Sequence, residues 1–282
     1  HERLVGSEMC IRDRYYTDSY FFPKEVLFDI IAHPNVYWAS QLQYDSPIEI
    51  KAAAPQLLVE EKAKENQLHL SLIPKIQRDD KIVVQKMATG LLVYEINDQH
   101  RHVAQTLGED GIDFPSSARE KVMDSILAVA KTLTIQSNMV GMNTQAKTVE
   151  ADNRLHLHLQ PVGEGIHLDV FVQPFVDGGP VYKPTSGGTT VLAEIDGVQL
   201  QTTRDFAIEK MYVAQLLAQC STLESNAALK WQLNDPETAL ETLFSLQNMT
   251  EFTVLEWPKG KKIKISRAVS YTHLTLPTNR EV

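Results

Sequence analysis

The sequence predicts an α+β fold in which antiparallel hairpins are joined by a few packed helices, and three observations carry that prediction. Short alternating or β-branched runs come in pairs around tight turns: residues 154–160 and 166–173 flank Val162-Gly163-Glu164-Gly165, and residues 189–195 and 198–203 flank Asp196-Gly197. Helix starts are marked by residues that cap them, most plainly at Asp235-Pro236-Glu237. There aspartate accepts a backbone N–H, proline needs no partner, and glutamate suits the positive helix end. The composition, 43% hydrophobic and 22% charged, is that of a chain able to bury a core.

The elements follow in order. Residues 15–54 are aromatic-rich and weakly patterned (Tyr15, Tyr16, Tyr20, Phe21, Phe22, Phe28, Tyr37, Trp38), and within them residues 24–32 read as a short helix ending before His33-Pro34. Residues 56–60, 67–72, 81–86 and 91–96 read as strands bounded by polar breaks. Ser117 and Glu120 fit a capping box ahead of a helix whose apolar face takes Val122, Ile126, Val129, Ala130 and Leu133. In the second half a helix is expected from about residue 205 to 220, with Leu216, Leu217 and Cys220 on its apolar face. The helix opened by Asp235 continues through Leu240, Leu243, Phe244 and Gln247, and residues 252–257 and 262–265 form a closing hairpin around Pro258-Lys259-Gly260. A boundary near residues 147–152 divides the chain into an α+β subdomain, 15–150, and a hairpin-and-helix subdomain, 151–267.

The two ends read differently. Residues 1–14 (HERLVGSEMCIRDR) and 268–282 (AVSYTHLTLPTNREV) have no hydrophobic period and look like translated sequencing-adapter read-through, to be set aside as fusion scars. On that reading Cys220 is left alone of the two cysteines, which excludes an internal disulfide and a Cys-rich zinc site and points to a reducing compartment. The remainder reads as an internal piece of a longer protein. No apolar run approaches the roughly 18–20 residues needed to span a bilayer. The formal charge of −9 weighs against a tight grip on a nucleic-acid backbone by this segment alone.

Motifs with a built-in mechanism are absent. Gly187-Gly188-Thr189-Thr190 has the glycines of a phosphate loop but no lysine, and it leads into a strand, so it reads as a flexible hairpin entry. Lys259-Gly260-Lys261-Lys262 reads as a solvated turn, and there is neither a Gly-x-Ser-x-Gly elbow nor a His-Glu-x-x-His pair. One constellation has chemical potential. His156 and His158 share a strand face, and the hairpin brings His167 near His158 with Asp169 on the same face. Three imidazoles and a carboxylate can bind zinc or a similar ion. The plainer reading puts Leu155, Leu157 and Leu159 in the core and turns the histidines to solvent or a neighbouring element. His100-Arg101-His102 reads as a polar turn or helix start, Cys220 as a small core residue, Trp231 and Trp257 as packing anchors, and Lys183 and Arg204 as isolated cations near loops. No catalytic, cofactor-binding or metal-binding residue is assigned.

Residues 148–265 also carry an ordered set of segments: TVEADNRLHLHLQPVGEGIHLDVFVQPF, GGPVYKPTSGGTTVLAEIDGVQLQTTRD, LNDPETALETLFSLQ and VLEWPKGKKIKI. This order resembles the region preceding the motor of bacterial Swi/Snf-type helicase-like ATPases of the DEAD/DEAH-box group. The resemblance continues more weakly through residues 55–60 and Leu107-Gly108. It implies a bacterial cytoplasmic protein whose two RecA-like motor lobes, with ATP and Mg²⁺ between them, follow residue 267. It also implies that the chain itself is a non-catalytic accessory platform with no cofactor of its own. Its partners would be those lobes and, through them, double-stranded DNA, with no membrane involved. The competing readings are a stand-alone protein-interaction scaffold and a metal-dependent enzyme using His156, His158 and His167.

Overall fold

The computed structural model describes residues 23–33, 36–39, 44–87, 90–139 and 146–258. Its elements, in chain order, begin with α1 (Val26–Asp29), β1 (Tyr37–Ala39), β2 (Tyr44–Pro47), β3 (Glu49–Ala53), β4 (Gln56–Lys62), β5 (Gln67–Ile73), β6 (Ile82–Lys86) and β7 (Gly90–Glu95). Then come α2 (Asp98–Leu107), β8 (Ile112–Pro115), α3 (Arg119–Val129), β9 (Thr134–Ser137) and β10 (Lys147–Thr148). The last group is β11 (Leu155–Val162), β12 (Gly165–Val172), β13 (Thr190–Ile195), β14 (Val198–Thr203), α4 (Phe206–Gln219), β15 (Lys230–Leu233), α5 (Pro236–Gln247) and β16 (Thr253–Glu256). The class is α+β, as expected, with mostly antiparallel pairing.

The strands form a seven-stranded sheet ordered β10-β14-β13-β9-β4-β5-β8, a four-stranded sheet ordered β15-β12-β11-β16, a three-stranded sheet ordered β3-β7-β6, and the β1-β2 pair. The seven-stranded sheet takes strands from both sides of residues 147–152. Alternation along β13 places the two main cores on its two faces. Val191 and Ala193 join the core of β11, β12, α4 and α5, whereas Leu192 joins the core of β4, β5, β9, α2 and α3. A third, smaller core gathers Ile50, Ile82 and Val93 with residues of α1. Among the described residues no helix is long and apolar enough to cross a membrane.

Local chemistry accounts for several element ends. Asp196 and Gly197 both take positive φ, 50° and 76°, which closes the β13–β14 hairpin in two residues. Asp205 caps α4 by accepting the N–H groups of Ala207 and Ile208, and Asp235 caps α5 by accepting that of Thr238, with Pro236 behind it. The capping box expected at Ser117 and Glu120 does not form. A 3₁₀ turn occupies Ser116–Ala118, and α3 starts from Ala118 without a side-chain cap. The box is found instead on α2, where His100 N–H donates to Asn97 Oδ1 and His100 Nδ1 accepts the Asn97 N–H.

Three features go beyond the local pattern of the sequence. Residues 44–53, read as weakly patterned, hold β2 and β3; Ile48 and Ile50 are buried on one side of β3, and Glu49 and Lys51 point to the other. Parallel pairs, β3 with β7, β4 with β9, and β11 with β16, join segments far apart in sequence. The first strand of the expected closing hairpin is β16, laid parallel to β11 on one edge; the second, residues 262–265, lies outside the described residues.

Candidate functional site

Among the described residues, two buried polar clusters lie where the sequence singles out residues. The first is the histidine face of the four-stranded sheet. Leu155, Leu157 and Leu159 are fully buried on its leucine side, as alternation requires. The opposite side is covered too: His156 and His158 are 8% and 5% exposed, because β3 packs against them. His158 Nε2 lies 2.6 Å from Glu49 Oε2 of β3, and Glu49 also pairs with Lys51 at 3.3 Å. His156 Nδ1 donates to Glu256 Oε1 of β16 at 2.6 Å, and its ring stacks on Phe171 at 5.4 Å. Across the hairpin His158 faces Asp169, which pairs with Lys230 of β15 at 3.5 Å. His167 faces Gln160 rather than His158.

The structure therefore distributes the predicted histidines over separate carboxylate partners. Among the described residues no group of three or more His, Cys, Asp or Glu side chains is placed to hold a metal ion. The arrangement is a polar seam between β3 and the sheet, in which buried charge is matched across elements. Burial pushes the Glu49 carboxyl up, and His158 with Lys51 outweigh it, holding the group below the usual carboxylate range. Burial lowers the His167 imidazole, with Asp169 opposing in part. Its Nε2 is buried without a hydrogen-bond partner among the described residues.

These directions set a pH dependence. A His167 value depressed in the fold favours the native state above the ordinary value of 6.5 and loses that contribution as pH falls through the folded value. Glu49, depressed from 4.5, acts the same way lower down. The melting temperature should thus fall on acidification, beginning near pH 6.5 and steepening below about 4.5. His167→Asn should remove the upper part of that decline, and a Tm-against-pH series on both proteins checks it.

The second cluster is centred on Arg204. Far from being an isolated loop cation, it is 3% exposed. Its Nε donates to Glu209 Oε1 at 2.8 Å and its Nη2 to Oε2 at 2.9 Å, a bidentate pair across the first turn of α4. Nη1 donates to the carbonyls of Ser186 and Gly188 at 2.7 and 3.3 Å. The Tyr182 and Phe206 rings lie 4.7 and 4.8 Å from the guanidinium carbon. Thr185 N–H donates to Glu209 Oε2 at 2.6 Å. Burial raises the Tyr182 phenol far above its ordinary range, Arg204 opposing in part. One ion pair thus clips residues 182–188 to the start of α4.

That clip also changes the reading of Gly187-Gly188, which is a fixed joint rather than a flexible entry. Gly188 N–H donates to Gln136 Oε1 at 3.1 Å, and a Cβ on Gly188 would stand 2.3 Å from the Ser137 backbone nitrogen. Gly188→Ala must push β13 from β9 and should destabilise by about 1–3 kcal/mol, read as a shift in the denaturation midpoint.

The remaining candidates stand apart from these two clusters. His100 Nε2 donates to Thr132 O at 3.0 Å, tying α2 to the end of α3. His102 is exposed on α2, and Lys183 is exposed beside the Arg204 clip. Cys220 is fully buried, 3.3 Å from Thr222 Oγ1, and burial raises its thiol. Trp231 is buried, its Nε1 donating to Glu224 O at 2.7 Å, and Trp257 packs against the same core. Sequence reasoning missed Glu49 and Glu256 as partners of the histidines, although the alternation Ile48-Glu49-Ile50-Lys51 is itself a strand signal. No protein-family model matches the chain, and neither a curated protein nor a solved structure matches it.

Proposed function

We propose that this chain is a non-catalytic accessory region of a bacterial, cytoplasmic Swi/Snf-type ATP-dependent DNA translocase, whose motor lobes, with ATP and Mg²⁺, lie on the same polypeptide. One observation supports the reading: the residues that carry the resemblance are used as joints of the scaffold. Gly188 and Arg204 from the second resembling segment make the clip, Asp205 and Asp235 cap helices, and Glu256 from the last segment closes the histidine seam. Joints of this kind suit a platform beside a motor, since it must hold its shape while the motor cycles.

The test uses the intact gene. Its sequence beyond the codon for Arg267 should encode, in frame, a phosphate-binding loop and an acidic ATPase motif. Deleting the residues of this chain from the intact protein should change its DNA-stimulated ATP hydrolysis severalfold, while the chain alone hydrolyses no ATP. A stop codon with no motor overturns the reading in favour of a stand-alone interaction scaffold. ATP hydrolysis by the chain alone overturns it in favour of an enzyme.

A further inference from the structure

A cleft of about 490 Å³ opens between α2 and α3, on the face of the seven-stranded sheet turned away from α4 and α5. Its volume is within the range of small-molecule sites. Leu57, Leu70 and Phe114 form its floor, and Leu107, Val122 and Ile126 line its walls. Polar side chains are confined to the rim: His102 and Thr106 on α2, Lys121 and Ser125 on α3. A polar group pushed inside would lose its hydration without compensation, so whatever enters is hydrocarbon.

The rim supplies the second half of the specification. The Thr106 hydroxyl donates to His102 O at 2.9 Å and the Ser125 hydroxyl to Lys121 O at 3.0 Å, so both are turned back on their own helices. The Lys121 ammonium and the His102 imidazole remain. No carboxylate lines the cleft, and neither Lys121 nor His102 is in an ion pair among the described residues. In a chain of formal charge −9 this is a local exception. A single lysine, without an arginine fork or a nest of backbone N–H groups, matches a monovalent carboxylate better than a phosphate.

We infer that this cleft binds a free fatty acid, its aliphatic chain lying between α2 and α3 and its carboxylate at Lys121. The lysine stem can lie along the apolar wall with its ammonium at the mouth, where the carboxylate meets it. The inference is independent of the accessory role, because it rests on α2, α3 and the sheet beneath them.

Calorimetric titration of the full chain with dodecanoate, below its micellar concentration, tests it. Saturable binding at one site is expected. Dodecanol should bind about tenfold more weakly, the loss of one charge-assisted contact, and dodecyltrimethylammonium more weakly still. Lys121→Gln should weaken dodecanoate about tenfold and leave dodecanol unchanged, a split that a general loss of structure does not produce. Ser125→Trp, placed on the rim, should abolish binding of both, with Thr106→Trp as a second plug should the first perturb the fold. Thermal melts of each variant confirm that it is folded. The inference is overturned if dodecanoate shows no saturable binding, or if binding survives both plugs. It also fails if the alcohol or the ammonium binds as tightly as the acid. Capture of an amphipathic helical peptide that Ser125→Trp abolishes, with no binding of dodecanoate, overturns it as well and assigns the groove to a protein partner.

Discussion

Arg204→Ala is expected to destabilise the protein by about 3–5 kcal/mol, the cost of leaving a buried charge without its partner. Glu209 is fully buried, and its carboxylate would keep only the Thr185 N–H. The carbonyls of Ser186 and Gly188 would lose their donor at the same time. For a chain of this size the melting temperature should fall by roughly 6–20 °C. Arg204→Lys should recover little, because a lysine cannot make the fork to Glu209 while stacking on Tyr182 and Phe206. A double variant, Arg204→Met with Glu209→Leu, should recover much of the loss, since it removes both charges and keeps the volume. Urea denaturation of the four proteins checks the series. If the double variant is as unstable as Arg204→Ala, the ion pair is not the source of the effect.

The second large effect is expected at Leu168. It lies at the centre of β12, fully buried, opposite Leu159 on β11 and Trp231 on β15. Leu168→Ala removes side-chain atoms from the middle of the largest core and leaves a cavity that the sheet cannot collapse, at a cost of about 2–5 kcal/mol. Leu240→Ala is the matched control. Leu240 is 43% exposed on α5, and its truncation should stay within about 0.5 kcal/mol. Denaturation midpoints, with slopes unchanged, separate the two.

Why some of this is legible in sequence and some is not follows from how far each interaction reaches. The Asp196-Gly197 turn, the Asp235 cap and the β11–β12 hairpin rest on residues a few positions apart, and the local chemistry that marks them in sequence forms in the fold. The alternation of leucine and histidine on β11 is legible as well, but what covers the histidines is not. Glu49 and Glu256 come from distant elements, and no local pattern announces that a carboxylate will arrive there. The Arg204–Glu209 pair is the opposite case. The two residues are five apart, yet the sequence marks them only as charges, because burial depends on residues 182–188 folding over them. The Ser117–Glu120 box fails for a local reason: the chain leaves β8 through a 3₁₀ turn, so Ala118 rather than Ser117 stands at the helix start.

The parallel pairing of β11 with β16 has a consequence for how the protein is made. His156 and Glu256 are 100 residues apart, and β16 is among the last described elements. At translation rates of about 5–20 residues per second, the β11–β12 hairpin, complete at Val172, waits roughly 4–17 s for its outer strand, complete at Glu256. Through that interval one edge of β11 has no partner strand and the His156 imidazole has no carboxylate. Unpaired strand edges are where nascent chains join one another. Synthesis, rather than residence in the finished fold, is therefore the stage at which this chain most needs a chaperone, and ribosome-bound nascent chains arrested before residue 253 should recruit one more strongly than those arrested well after residue 256.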